Sequence, residues 1–456
     1  MINKYAAAFM LVLIVPALAI ASPEAAQDEL VGKARAFLSA LEKNDFKEAA
    51  RDFDETMRKV SGPDKLAEFW TKQFPSQVGS FQRQTAARRD KLGAYDIVLV
   101  TCAFEKATLD ARVVFDKNGR IAGFQFVPSL PPAKYEPPAY SDPAKFFERE
   151  IIVGAGDWAL PGTLTLPKGA GPFPALILVH GSGPNDRDES LGPNKPFQDL
   201  AWGLASRGIA VLRYEKRTRV NGTKMVNDPE AAFLTVKEET IDDALAAVRL
   251  AKATPAVDPA AVFVLGHSLG GMLIPRIALA ARDLNIAGFI GLAGLTRPLD
   301  ETILKQMSYL FSLDGAISDE ETKQLDEIKA QMAKIKALQE SDRGSKTRFF
   351  NAPAAYWLDL RGYNPPQTAL QMDKPFLILQ GGRDYQVTTE DLENWKKVLA
   401  GRPGVEFRLY PLCNHLFFEG RGILVPDEYV TRHGSVAPQV VDDIAVFILK
   451  VSGGRR

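Results

Sequence analysis

Six runs in the C-terminal part of the chain constrain its fold more than any other feature. PALILVHG (174–181), GIAVLRYE (208–215), AAVFVLG (260–266), AGFIGLAG (287–294), KPFLILQGG (374–382) and EFRLYP (406–411) read as strands. Most are apolar along their whole length rather than at every second residue. A strand with one wet face alternates, whereas a strand apolar on both faces must be covered on both. Between these runs the apolar period changes. EETIDDALAAVRLAKA (238–253) places Ile241, Ala244, Ala247 and Leu250 on one helical face, and GMLIPRIALAARDL (271–284) reads as a further helix. Strand–helix alternation of this kind predicts an α/β unit over 146–452, with a mostly parallel sheet between helical layers. One block, residues 298–373, breaks the rhythm. It contains a capping-box signature at Ser318–Glu321 and then Leu325, Ile328, Met332 and Ile335 on one helical stripe. It lies between two sheet strands, so it reads as a helical cap insertion.

The chain of 456 residues is long enough for more than one domain. Residues 28–128 form a small α+β domain by pattern. Leu30, Ala34, Leu38 and Leu41 are spaced for a first helix, Asn44-Asp45 interrupts it, and a second helix is expected from about Phe46. KLAEFWTKQFP predicts a third helix, stopped by Pro75. YDIVLVTCAFE, ATLDARVVFD and RIAGFQFVP then read as strands, with a turn at Lys117-Asn118-Gly119. The stretch PSLPPAKYEPPAYSDP (128–143) holds six prolines, so 129–145 is expected to be a stiff linker. At the N-terminus, Lys4 precedes an apolar run that ends in Ala19-Ile20-Ala21. That pattern predicts a signal peptide over 1–21, cleaved after Ala21. The mature chain is then expected to be periplasmic or secreted, without stable membrane insertion.

Composition excludes several classes. Lys+Arg and Asp+Glu are both 56, which gives no basic balance for nucleic acid. Two cysteines, Cys102 and Cys413, cannot build a disulfide framework. No HExxH, CxxC or paired-His spacing is present, so neither a metal nor a cofactor is expected.

The chemistry concentrates around one pentapeptide. Gly266-His267-Ser268-Leu269-Gly270 follows a strand and precedes a helix, the context a nucleophile elbow requires. Its glycines permit a sharp turn that lifts a serine hydroxyl above the sheet. A hydroxyl needs a base, usually a histidine oriented by a carboxylate. Asp384 follows the strand FLILQGGR, and His415 follows FRLYPLCN, so Ser268, Asp384 and His415 occur in the order this arrangement requires. His433 is the rival base, but it lies away from a strand end. His180 and His267 precede turn residues and read as packing or hydrogen-bonding positions. The expected oxyanion donors are the backbone N–H groups of Leu269, just after the nucleophile, and of Ser182, in the glycine-rich loop after ALILV.

HGSGPNDRDES, GHSLGG, GGRDYQV and CNHLFFEG together resemble a secreted bacterial α/β-hydrolase of the esterase and dienelactone-hydrolase-like kind. Residues 28–128 resemble the small α+β domain of unknown role, the DUF3887 type, found ahead of such hydrolases. The resemblance implies a serine hydrolase that cleaves small-molecule carboxylic esters through an acyl-enzyme, with nucleophile, acid and base at Ser268, Asp384 and His415. It also places a cap where 298–373 is inserted, and Met307 and Phe311 in ILKQMSYLFSL are candidates for an acyl pocket. The segment 216–237 departs from a compact connection and receives no role. The same triad serves amide cleavage, so a secreted serine peptidase stays open. A binding protein on a degenerate frame conflicts with an intact Ser, Asp, His and oxyanion glycine set.

Overall fold

The computed structural model describes residues 25–92, 95–129, 135–228 and 230–453. The leader read at 1–21 lies outside them. Two compact units divide the chain.

The first unit pairs a helix, Ala25–Glu42, and several short helices with an antiparallel sheet in the order β1 (Phe81–Leu92), β2 (Tyr95–Phe104), β3 (Thr108–Phe115) and β4 (Ile121–Pro128). Ala34, Leu38 and Leu41 are fully buried in its core, as the helical spacing requires. β1 escapes a period-two reading because FQRQTAARRDKL is a polar edge strand paired on one side only. Pro75 does not end the third helix. Helical backbone runs from Pro63 to Val78 and widens to a π-turn over Phe69–Gln73, where the N–H of Phe74 bonds to the carbonyl of Phe69. The wider turn places Pro75 at the start of the next α-turn, where no N–H is needed. Gly79, at φ +78°, ends the helix instead.

The second unit is built on β5 (Phe146–Val153), β6 (Leu160–Pro167), β7 (Phe173–Val179), β8 (Ala210–Tyr214), β9 (Val257–His267), β10 (Gly288–Leu292), the two-residue ribbon strands β11 (Arg348–Phe349) and β12 (Ala352–Pro353), β13 (Phe376–Gly381) and β14 (Val405–Tyr410). Its sheet has the order β14-β13-β10-β9-β7-β8-β6-β5. All pairs from β14 to β8 are parallel, and β8-β6 and β6-β5 are antiparallel. Val262, Phe263, Val264 and Leu265 in β9 are fully buried, which is why that run carries no polar face. The register sets Val179 opposite Gly266, His267 opposite Leu292, and Leu292 opposite Leu379. The carboxyl ends of β7, β9, β10 and β13 are therefore level, and their loops emerge on one side.

The insertion between β10 and β13 carries the helices Leu299–Ser312, Asp319–Ala337, Ala354–Leu360 and Pro365–Ala369. Ser318 and Glu321 form the full capping box. Leu325, Met332 and Ile335 are buried, and the charged positions between them face solvent. Of the proline-rich stretch, Tyr135 and Tyr140 anchor to this unit, donating to Asp199 Oδ1 at 2.7 Å and to the carbonyl of Val436 at 2.8 Å. No helix among the described residues is long and apolar enough to cross a membrane.

Candidate active site

The elbow at the end of β9 is strained and crowded. Ser268 sits at φ +53°, a region side chains rarely occupy. Its N–H donates to the carbonyl of Leu292 at 2.9 Å, and its own carbonyl accepts from Met272 at 2.9 Å, so the turn is held from both sides. A Cβ at Gly266 would come 2.2 Å from the carbonyl oxygen of Gly270, and one at Gly270 would come 2.5 Å from that of Val179. The two glycines are thus required by packing. The helix Leu269–Ala280 begins directly after the serine. Leu269 is its first residue, so its N–H has no intrahelical acceptor.

The other two members of the predicted set come together beside it. His415 Nδ1 donates to Asp384 Oδ2 at 2.6 Å. Both side chains are buried, at 5% and 0% exposure. The carboxylate is fixed further: its Oδ1 accepts from the N–H groups of Gln386 at 2.8 Å and Val387 at 3.0 Å, and Gln380 Nε2 lies 3.4 Å from Oδ2. Asn414 shapes the base loop by accepting from Leu416 and Phe418. Among the described residues His415 is hydrogen-bonded through Nδ1 and not Nε2, and the Ser268 side chain makes no cap bond to its helix.

His267 joins the elbow to the base loop. Its Nε2 meets the carbonyl oxygen of His415 at 3.0 Å, and the two imidazole rings lie 4.7 Å apart. Its Nδ1 meets Glu189 Oε2 at 2.7 Å. Glu189 Oε1 in turn accepts the N–H of Gly181 at 2.5 Å. Burial alone would lower the basicity of His267, but the Glu189 charge and hydrogen bond outweigh it and hold the ring above its ordinary pKa. Glu189 is held below the usual carboxyl value against the opposing effect of burial, by the same pairing. His180 differs. Burial drives its pKa down to about 4, and it packs between Phe197 and Tyr214 as a neutral ring.

Sequence reading singled out Ser268, Asp384 and His415 as candidates, and the structure brings their loops to one corner. It did not identify Glu189, whose partner is 78 positions away in sequence. The only local signal was an acid within a loop otherwise read for its glycines. His433 lies elsewhere: exposed, with Nε2 3.0 Å from the carbonyl oxygen of Glu136. Cys102 and Cys413 are both free and buried. On the cap side, Tyr309 of the helix Leu299–Ser312 stacks on Tyr385 at 4.7 Å, and Gln306 Nε2 donates to the carbonyl of Gln386 at 3.2 Å. That helix therefore rests on the residues that follow Asp384. It carries Met307, half-buried, and Phe311, 4% exposed.

A sheet with this strand order, a serine on a strained strand–helix turn and a histidine–carboxylate pair on later strand ends define an α/β-hydrolase. The model of the alpha/beta hydrolase family matches residues 176–430, more than half of the chain, and the chain belongs to that family. Residues 34–124 match a family described as a protein of unknown function, DUF3887. Among relatives, Esterase EstD of Thermotoga maritima is 38% identical over 414 residues, covering 91% of this chain and 94% of its own. Solved structures similar in fold include Est1E from Butyrivibrio proteoclasticus, with 18% identity, TM-score 0.43, and coverage of 67% of this chain and 99% of that one. A hyperthermophilic esterase from Pyrobaculum calidifontis has 16% identity, TM-score 0.42, and coverage of 67% and 86%.

Proposed function

We propose that the protein hydrolyses carboxylic esters through an acyl-enzyme formed on Ser268. The observation that carries this reading is the 2.6 Å Asp384–His415 pair, in a loop tied to the elbow by the contact of His267 with the His415 carbonyl. Ser268 Oγ attacks the acyl carbon while its proton passes to His415 Nε2. The carbonyl oxygen gains negative charge and accepts from the N–H groups of Ser182 and Leu269. The imidazolium, stabilised by Asp384, returns the proton to the alcohol oxygen as the C–O bond breaks, and the alcohol departs. Water then attacks the acyl-enzyme, His415 takes its proton, and the acid leaves as Oγ is reprotonated. No metal or cofactor enters this sequence. Identity with Esterase EstD across nearly the whole chain supports an ester substrate over an amide. A panel of p-nitrophenyl esters and aminoacyl p-nitroanilides on the purified protein tests the choice. Ester turnover that exceeds anilide turnover agrees with it, and preferential anilide cleavage makes the protein an amidase instead.

The cap is proposed to select the acyl group. Its first helix rests on the loop of the catalytic acid, and a methylene in an enzyme pocket is worth about 1–3 kcal/mol of discrimination. Met307→Ala and Phe311→Ala should therefore shift preference among acetyl, butyryl and octanoyl esters by about tenfold. Equal changes in kcat/KM for all three chains, at unchanged Tm, remove the pocket role. Export with cleavage after Ala21 is part of the same proposal, supported by the Lys4-led apolar run and the small residues at 19 and 21. The intact mass of the chain recovered outside the cytoplasm checks it.

A further inference from the structure

The segment after β8, which sequence reading left without a role, begins with a buried lysine. Lys216 is 2% exposed. Its Nζ donates to the carbonyl oxygen of Gly181 at 2.7 Å and pairs with Glu239 Oε1 at 2.8 Å. Glu239 Oε2 accepts from the hydroxyl of Tyr356 at 2.8 Å, so each carboxylate oxygen has a partner. A cation this deep is costly unless paired, and beside Glu239 its hydrogen-bond partner among the described residues is one backbone carbonyl. That carbonyl belongs to the peptide unit whose N–H is contributed by Ser182, the expected oxyanion donor.

In a trans peptide the C=O and N–H point in opposite directions. A lysine that grips the Gly181 oxygen therefore fixes the direction of the Ser182 N–H. Neighbouring contacts hold the loop on the same side. Asn185 Nδ2 donates to the carbonyls of Gly181 at 3.2 Å and Ser182 at 3.0 Å, and Thr218 Oγ1 donates to that of Gly183 at 3.1 Å. Gly181 itself backs onto the nucleophile: a Cβ there would lie 3.1 Å from Ser268 Cβ. Its N–H is committed to Glu189, which leaves the N–H of Ser182 as the next donor along the loop. No acceptor among the described residues takes the Ser182 N–H.

We infer that Lys216 is a positioning residue for the oxyanion hole, and that through the Gly181 carbonyl it both aims and polarises the Ser182 N–H. The hydrogen bond from a cation draws electron density toward the carbonyl oxygen and leaves the amide of the same peptide a stronger donor. This inference rests on the acyl-enzyme reading above. Lys216 touches no reacting atom, and its effect falls on the transition state, where the oxygen is charged, more than on substrate binding.

The test compares the wild type with Lys216→Met and with Lys216→Met/Glu239→Gln, which removes the buried charge pair together. Expected is a loss of kcat of about 100-fold, with KM changed much less. An aliphatic trifluoromethyl ketone, which forms a charged tetrahedral adduct, should lose affinity in the same proportion, whereas a purely structural role would not link the two. A folded double variant with kcat within about twofold of wild type overturns the inference. A second measurement uses unaltered protein: its crystal structure after reaction with a fluorophosphonate. The phosphonyl oxygen should lie within hydrogen-bond distance of the Ser182 and Leu269 nitrogens, with Lys216 Nζ still on the Gly181 oxygen. An adduct on Ser268 whose oxygen is bound elsewhere overturns the role of Lys216 and leaves the acyl-enzyme reading intact. Failure of Ser268 to form any adduct defeats that reading instead.

Discussion

Two buried histidine–carboxylate pairs stand in one site and serve different ends. In the first, His415 Nδ1 donates to Asp384 at 2.6 Å and Nε2 has no hydrogen-bond partner among the described residues. In the second, His267 Nδ1 meets Glu189 at 2.7 Å, and Nε2 meets the His415 carbonyl at 3.0 Å. A carbonyl and a carboxylate oxygen only accept, so His267 donates from both nitrogens and has no lone pair to offer a serine. His415 has one. A histidine beside a carboxylate is therefore not in itself a base; what its second nitrogen meets decides the role. The 267–189 pair acts as a brace. It ties the elbow to the carbonyl of the base residue and, through Glu189, to the N–H of Gly181.

The sharpest way to break this contrast is to disable each pair in turn. His415→Ala should lower kcat by at least about 10⁴-fold, as Ser268→Ala should, because the two act as one machine. Asp384→Asn should cost about 10⁴-fold with the fold kept, because the imidazole loses its orienting acceptor. Steady-state kinetics on p-nitrophenyl butyrate measures all three. Glu189→Gln should act mainly on stability. It leaves His267 buried without its counter-charge, at a cost of about 3–5 kcal/mol in chemical denaturation. A variant that instead keeps its stability and loses activity as His415→Ala does would make His267 part of the proton relay.

The brace also has a pH signature. His267 is held above its ordinary value of 6.5, so its contribution is complete below that pH and is lost as pH rises through the folded value. Glu189 is held below 4.5, so its contribution is complete above that pH and is lost as pH falls through the folded value. The stability difference between wild type and Glu189→Gln should therefore be largest between about pH 4.5 and 6.5, and shrink on either side. A difference that keeps growing toward alkaline pH would contradict the pairing. The smallest effect belongs to His433→Ala. Among the described residues this exposed ring pairs with Glu136 and packs on Tyr135, and its removal should change kcat by less than about twofold.

The members of the first pair were legible in sequence because each follows a strand. Gly266–Gly270 announces its own backbone, and Asp384 and His415 sit just beyond apolar runs whose ends a parallel sheet must align. The brace was not legible. Glu189 lies in an irregular loop at φ +50°, and Lys216 lies past the end of β8, where nothing in KRTRV marks a buried charge. Their partners are fixed only once the loops of β7, β8 and β9 converge, and periodicity carries no information about that convergence. The same limit appears in the first unit. The alternating β2, β3 and β4 were readable, whereas β1, polar on an edge, was not, and Pro75 looked like a stop because the π-turn that accommodates it leaves no pattern in residue type.

In the proposed reaction Ser268 carries the acyl group, with His415 and not His267 as its base. Rapid mixing with p-nitrophenyl acetate, followed by acid quench and peptide mapping, tests it most directly. An initial release of about one equivalent of nitrophenolate per chain and an acetyl group on the Ser268 peptide are expected. The release should persist in a folded Glu189→Gln variant and vanish in His415→Ala. An acetyl group on another residue, or steady turnover without any acyl-enzyme in the wild type, would contradict it.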